Sequence, residues 1–162
     1  MSPEKKMLVK STWSNVLPIA DVAAKLFYER LFEIDASTRP MFKTNMAEQR
    51  RMLMQALAAV ISGLDNLEPL IPRLETLGRK HVHYGVTEEH YDSVGAALFW
   101  TLEQGLKEAW TPAVKEAWAS AYAMVAGVMR GAAKTAALTS NVFGPGKEYG
   151  GLGRTKRSLN EL

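Results

Sequence analysis

Along most of the chain apolar residues recur at intervals of three and four, and the β-branched alternation of a half-buried strand is missing, so the pattern predicts an all-α protein. Ser2-Pro3 has the chemistry of an N-cap followed by a first helical residue. It opens a helix expected to bury Leu8, Thr12, Val16 and Leu17 and to end at Pro18. Ile19, Val22, Ala23, Leu26, Phe27, Arg30 and Leu31 trace a second helical stripe from Ala20-Asp21 to about Glu33. Thr38-Arg39-Pro40-Met41-Phe42 reads as a short corner whose aromatic must be covered. Asn45 followed by Glu48 resembles a capping box and starts the most strongly patterned helix, with Met52, Leu53, Ala56, Leu57, Val60, Ile61 and Leu64 inward.

Pro69 and Pro72 introduce a segment in which Leu70, Leu74, Leu77 and His81 share one helical face, so His81 continues an apolar stripe. Gly85 supplies a stop. Two long helices follow, one from about Glu88 with Tyr91, Val94, Leu98 and Leu102 inward. The other opens at Thr111-Pro112 and carries Val114, Trp118, Ala121, Tyr122, Val125 and Met129. Beyond Ala137 glycine and scattered charge replace the pattern. The expected organisation is therefore one domain over residues 1–137 and a glycine-rich, mildly basic, flexible tail over 138–162.

A chain of 162 residues that is 47% hydrophobic can bury a core without metals or cross-links. It contains no cysteine, which removes disulfides, thiolate metal sites and cysteine nucleophiles from consideration. The net charge of +3 is concentrated in the tail: Lys147, Arg154, Lys156 and Arg157 against Glu148 and Glu161 leave the rest nearly neutral. No basic face for nucleic acid or anionic lipid follows from that distribution. No apolar run is long enough for a signal sequence or a membrane span, so a cytoplasmic protein without nucleic-acid or membrane partners is expected.

Of the three histidines, His81 and His83 are two apart and point to opposite helix faces, so they cannot share one ion. His90, beside Glu88, Glu89 and Asp92, reads as a solvated surface residue. His81 is different. Gln49 and Leu53, one turn apart, would face whatever the His81 stripe faces, with Tyr28 and Phe42 available to line the space between. An apolar pocket with an imidazole on one wall and an amide opposite is a ligand site in outline, although a buried core histidine gives the same pattern. Ser93 and Ser120 lack a base-orienting acid, and the glycine cluster precedes no helix, so neither a hydrolase nor a phosphate loop competes.

Several blocks, taken with their spacing, resemble a known family: Leu26-Phe27-Tyr28-Glu29-Arg30-Leu31-Phe32, Arg39-Pro40-Met41-Phe42, Gly63-Leu64-Asp65-Asn66-Leu67, Leu77-Gly78-Arg79-Lys80-His81 with Tyr84-Gly85-Val86, and Ala117-Trp118 with Ala121-Tyr122. From about residue 3 to 137 the chain resembles a bacterial single-domain globin, related to the haem domain of flavohaemoglobins and to neuroglobin-like proteins. The resemblance implies a globin fold around a haem pocket, with haem b (iron protoporphyrin IX) as cofactor and His81 as the axial ligand to its iron. It places Phe42, Leu53, Leu77, Val86, Tyr91, Val94 and Val125 against the macrocycle. Tyr28, Gln49 and Leu53 fall on the distal side, where a diatomic ligand would lie. Lys80 or Arg79 falls where a propionate could be paired. Tyr91 matches the tyrosine that flavohaemoglobins set beside the proximal histidine, but Ala133 stands where they have a glutamate. A core tyrosine with a satisfied hydroxyl is an equal reading of Tyr91.

The function implied is reversible O₂ binding for storage or delivery, with CO and NO as further ligands and a monomer or weak homodimer as the expected state. An NO dioxygenase served by a separate reductase and a haem-based gas sensor are the alternatives. A bis-histidine state through the distal position is not expected, since Gln49 stands there.

Overall fold

In the computed structural model, residues 1–42 and 45–142 are described, with side chains through 136. Six helices account for most of them: α1 (Pro3–Val16), α2 (Ala20–Ile34), α3 (Met46–Ser62), α4 (Ile71–His83), α5 (Glu88–Leu106) and α6 (Pro112–Val142). Short 3-10 turns occupy Leu17–Ile19, Ala36–Met41, Glu68–Leu70 and Lys107–Ala109. Local chemistry sets the ends. Ser2 caps α1 by accepting from the Lys5 amide, and Pro3 occupies the first position. Asn45 caps α3 through the Ala47 amide at 2.8 Å. Gly85 takes φ +86°, a conformation that strains any other residue, and lets the Val86 amide turn back onto the His81 carbonyl at 2.9 Å to close α4.

The phase of α1 differs from the expected one. Val9, Thr12, Trp13 and Val16 are buried, whereas Leu17 is exposed. The inward face is centred by Trp13, whose partner Trp118 lies on α6 with ring centroids 6.4 Å apart. The Trp118 indole donates to the buried Thr12 hydroxyl at 2.9 Å, which in turn donates to the Leu8 carbonyl. On α2 the core face is Ala23, Ala24, Phe27, Tyr28 and Leu31, while Ile19 and Val22, expected inward, are exposed. The apolar stripe there is wider than the face the neighbours can cover.

Helix α4 lies on α6, α2 on α5, and α1 on α6. Helix α3 leans on α2, and α3 and α4 barely touch. Gly78 permits the closest approach of α4 to α6, since a Cβ there would stand 2.3 Å from the Met129 carbonyl oxygen. Helix α6 continues five residues past Ala137, where the domain was expected to end; residues 143–162, most of the expected tail, lie outside the described residues. Among the described residues no helix is long and apolar enough to cross a membrane.

The α4–α6 seam gives a sharp expectation. Gly78→Ala should destabilise the protein by about 1–3 kcal/mol in urea unfolding, because the obstructing atoms are backbone and cannot swing aside. Gly127→Ala on α6, where a Cβ meets nothing within 4 Å, should be neutral or stabilising by about 0.5–1 kcal/mol.

Candidate functional site

The strongest sequence pattern in the chain is also the least buried helix. In α3, Met52, Leu53, Ala56, Leu57 and Val60 are only half-buried, while Gln49 and Ile61 are buried. The reason is the slot between α3 and α4. It holds a cavity of about 200 Å³ with almost wholly apolar walls, supplied by α2 to α6 and the corner before α3. A water molecule takes roughly 30 Å³ and needs several polar partners, of which these walls offer few. Left as a void, such a space would forgo on the order of 5 kcal/mol at about 24 cal/mol per Å³. An apolar cavity of this size in a close-packed interior is therefore a receptacle rather than a packing defect.

The structure brings Tyr28, Phe42, Leu53, Leu77, His81, Val86, Tyr91, Val94 and Val125 into the wall of this one cavity. Gln49 stands behind Tyr28: it is 1% exposed and donates from Nε2 to the Tyr28 hydroxyl oxygen at 3.1 Å, while its own Oε1 has no partner among the described residues. Tyr28 also stacks edge-on against Phe42 at 5.3 Å, so an aromatic cluster fixes the ring. Burial pushes the Tyr28 phenol up to about 12, against the lowering effect of the Gln49 hydrogen bond. It keeps its proton at any physiological pH. Because its oxygen accepts from Gln49, that proton is available to an acceptor in the cavity.

On the opposite wall His81 is 8% exposed, and Nδ1 is buried with no hydrogen-bond partner among the described residues. Desolvation pushes the ring down to about 4, so it is a neutral imidazole at neutral pH. Tyr91 meets it edge to face with centroids 6.2 Å apart. The Tyr91 hydroxyl is buried and has no hydrogen-bond partner among the described residues. Burial first raises its pKa, and Arg130, 4.9 Å above the ring and paired with Glu88 and Asp92, opposes that shift. His83 is exposed on the far side of α4, as its spacing requires.

Sequence reasoning misplaced His90. It is 8% exposed and lines the cavity, held between the Thr87 amide and Ser37. The acidic neighbours that suggested a solvated residue, Glu88 and Glu89, point outward in the first turn of α5. The available signal was the Thr87-x-x-His90 spacing, in which the third helical residue reaches back to the cap. Thr38, Leu74, Tyr122 and Met129 also line the cavity and were not singled out as site residues.

These features can be tested against a flat, apolar macrocycle carrying a metal. The slot lies between two helices that hardly pack on each other, its walls are largely apolar, and one neutral imidazole, that of His81, lines it. Among the described residues no group of three or more acidic, His or Cys side chains could hold a bare ion, so one imidazole suits a metal whose other ligands come with the cofactor. The residues fit haem. The burial of His81 also has a thermodynamic sign. Its folded pKa lies below the unfolded value of 6.5, so the unfolded chain gains a proton first as pH falls. Apoprotein stability should therefore drop by about 3 kcal/mol between roughly pH 6.5 and pH 4 through this group. His81→Leu should flatten that part of the urea-midpoint profile.

Comparison with known proteins agrees with the geometry. A family profile described as Globin matches residues 25–129. The flavohemoprotein of Bordetella parapertussis is 32% identical over 134 residues, 81% of this chain and 33% of that protein. The flavohemoprotein of Bacillus subtilis is 31% identical over 130 residues, again 33% of its length; the chain thus spans about a third of the flavohemoproteins it matches. The neuroglobin of Danio rerio is 30% identical over 156 residues, 87% of this chain and 98% of that protein. A crystal structure described as a hexacoordinated heme protein from an anhydrobiotic tardigrade shares the fold, with TM-score 0.73 and 16% identity over 83% of this chain and 96% of the other. The apolar slot with its buried imidazole and the match over most of the helical body lead to one conclusion: the chain belongs to the globin family, whose cofactor is haem and whose ligands are diatomic gases.

Proposed function

We propose that this protein binds O₂ reversibly, with haem b seated in the slot between α3 and α4, where the His81 imidazole would hold its iron. The observation that carries the reading is the pairing of a neutral, buried imidazole on one wall with a phenol on the other whose oxygen is already satisfied by Gln49. Haem supplies the ferrous iron at which a diatomic gas is taken up and released. The chain supplies the rest. His81 offers a lone pair without first losing a proton, because burial has already removed it. Phe42, Leu53, Leu77, Val86, Val94 and Val125 provide flat apolar walls that keep water out.

Tyr28 holds its proton at Oη, where charge drawn onto a polar ligand would be stabilised in a medium of low dielectric constant. Gln49 acts through Tyr28: its amide occupies the phenol oxygen and leaves the phenol proton as the donor. A distal donor of this kind favours O₂, which accepts a hydrogen bond strongly, over CO, which does so weakly. CO and NO are further ligands on this reading, and nothing in the site needs a second subunit.

The likeness to flavohemoproteins supports a second reading, NO dioxygenation, in which the same pocket serves a reaction whose electrons come from a separate reductase. Oxygen kinetics separate the two. Tyr28→Phe should raise the O₂ dissociation rate by roughly 10- to 100-fold while changing CO release by less than about threefold, as expected for one hydrogen bond to a partly charged acceptor. Stopped-flow measurement on the ferrous protein reads both rates. Equal effects on O₂ and CO would overturn the distal assignment. Sustained catalytic loss of NO with a purified reductase would move the function to the second reading.

A further inference from the structure

Between the two walls of the cavity runs a chain of hydrogen bonds that the gas-binding reading does not use. It starts at His81 itself, whose carbonyl oxygen accepts from the Val86 amide at 2.9 Å. The next residue, Thr87, donates its amide to His90 Nδ1 at 2.9 Å. An imidazole that accepts at Nδ1 carries its proton on Nε2, and Nε2 lies 3.0 Å from the Ser37 hydroxyl oxygen, to which it donates. Ser37 donates its hydroxyl to Asp35, and its amide reaches the same carboxylate at 3.1 Å. Ser93, one turn after His90 on α5, adds a hydrogen bond to Asp35 at 3.1 Å. Hydrogen bonds from Ser37 first, and from Ser93, hold the Asp35 carboxyl below its ordinary value, so the network ends on a charged acceptor.

The two ends of this network are the two corners that shape the pocket. Asp35 and Ser37 begin the turn Ala36–Met41, which carries Thr38 and Met41 into the cavity wall and delivers Phe42 to it. Thr87 closes the Tyr84–Val86 corner, which follows directly on the helix that presents His81. Imidazole is an unusual choice at the third position of a helix whose cap needs only an acceptor. Glutamate or glutamine would serve that end alone, but glutamate could not also donate to Ser37.

We propose that His90 is a positioning residue that ties the corner after His81 to the corner before Phe42, and so fixes how the axial imidazole is presented to the iron. This rests on the haem reading above. Through it, the backbone of the axial residue is coupled by two intervening hydrogen bonds to a side chain that never touches the metal. The corner that Gly85 makes possible belongs to a four-residue link between α4 and α5, Tyr84 to Thr87, in which Val86 is half-buried and Thr87 exposed. Without His90 nothing described here fixes the Thr87 amide, and the α4 terminus would sample a wider range of rotations about its axis.

The test compares His90→Leu with His90→Gln in the full-length protein. Amide exchange at Thr87, measured with or without haem, reports the clamp alone. It should accelerate roughly tenfold or more in the Leu variant and return toward the parent in the Gln variant, which restores an acceptor. In the haem-loaded protein the iron–imidazole stretching band of the ferrous form should shift and broaden in His90→Leu. The rate of ferric haem loss to an acceptor protein should rise roughly tenfold. His90→Gln should recover both. Ser37→Ala, an exposed change that cuts the link from the other corner without disturbing the core, should move the band and the loss rate in the same direction to a smaller extent.

Unchanged stretching band and haem loss in both His90→Leu and Ser37→Ala, with Thr87 exchange accelerated, would overturn the proposal and leave His90 as a helix cap only. Failure of Gln to rescue would overturn it as well. Failure of the haem reading itself looks different, because no pigment would form in the parent protein while Thr87 exchange would still respond.

Discussion

A neutral imidazole in the wall of an apolar cavity, with Nδ1 unpaired among the described residues, is the constraint around which the rest of this fold is arranged. Burying His81 Nδ1 costs the protein the hydration of that nitrogen, and among the described residues no hydrogen bond replaces it. The opposite wall repeats the pattern at Gln49 Oε1, and the Tyr91 hydroxyl adds a third unsatisfied atom beside His81. Natural cores rarely leave polar atoms so placed. The other atoms of this kind among the described residues are guanidinium Nε atoms of Arg30, Arg50 and Arg130, so the imidazole, amide and phenol atoms left over are those near the cavity, away from the packing of Trp13 on Trp118.

The architecture isolates that place. α4 is fastened to α6 by the Gly78–Met129 approach and α3 is supported by α2, so the two helices that face each other across the slot are each held from behind. The slot can therefore stay open without either helix losing its main contacts. Aromatic packing of Tyr28, Phe32 and Phe42 stiffens one side, and the Arg130–Tyr91–His81 stack stiffens the other. Polar chemistry is confined to a few atoms, as expected of a pocket in which shape provides retention and single hydrogen bonds provide selectivity.

Much of this was legible in the sequence, for reasons that can be assigned to particular residues. Periodicity located all six helices, since helix-forming stripes and caps such as Ser2-Pro3, Asn45 and Gly85 are local signals. It did not fix which residues of a broad stripe face inward. In α1 the choice between Leu17 and Trp13 was decided by Trp118, more than a hundred residues away. The half-burial of Leu53 and Val60 could not be read from pattern either, because a wall of a cavity and a wall of a core carry the same residues. His90 was misread because its partners Asp35 and Ser37 come from another corner, whereas its sequence neighbours are the charges of an exposed first turn. Gln49 was legible as a buried amide but not as the partner of Tyr28, which depends on how α2 and α3 pack.

The central claim is that the space between α3 and α4 is a haem site closed by one imidazole. Titrating apoprotein with hemin and following the absorption spectrum tests it most directly, with His81→Ala measured beside the parent. The account predicts saturation at one haem per chain and a ferrous spectrum with a single protein imidazole on the iron. It predicts that His81→Ala loses that spectrum and regains it when imidazole is added to the solution. Retention of an unaltered spectrum by His81→Ala, or no saturable binding by the parent, would contradict it.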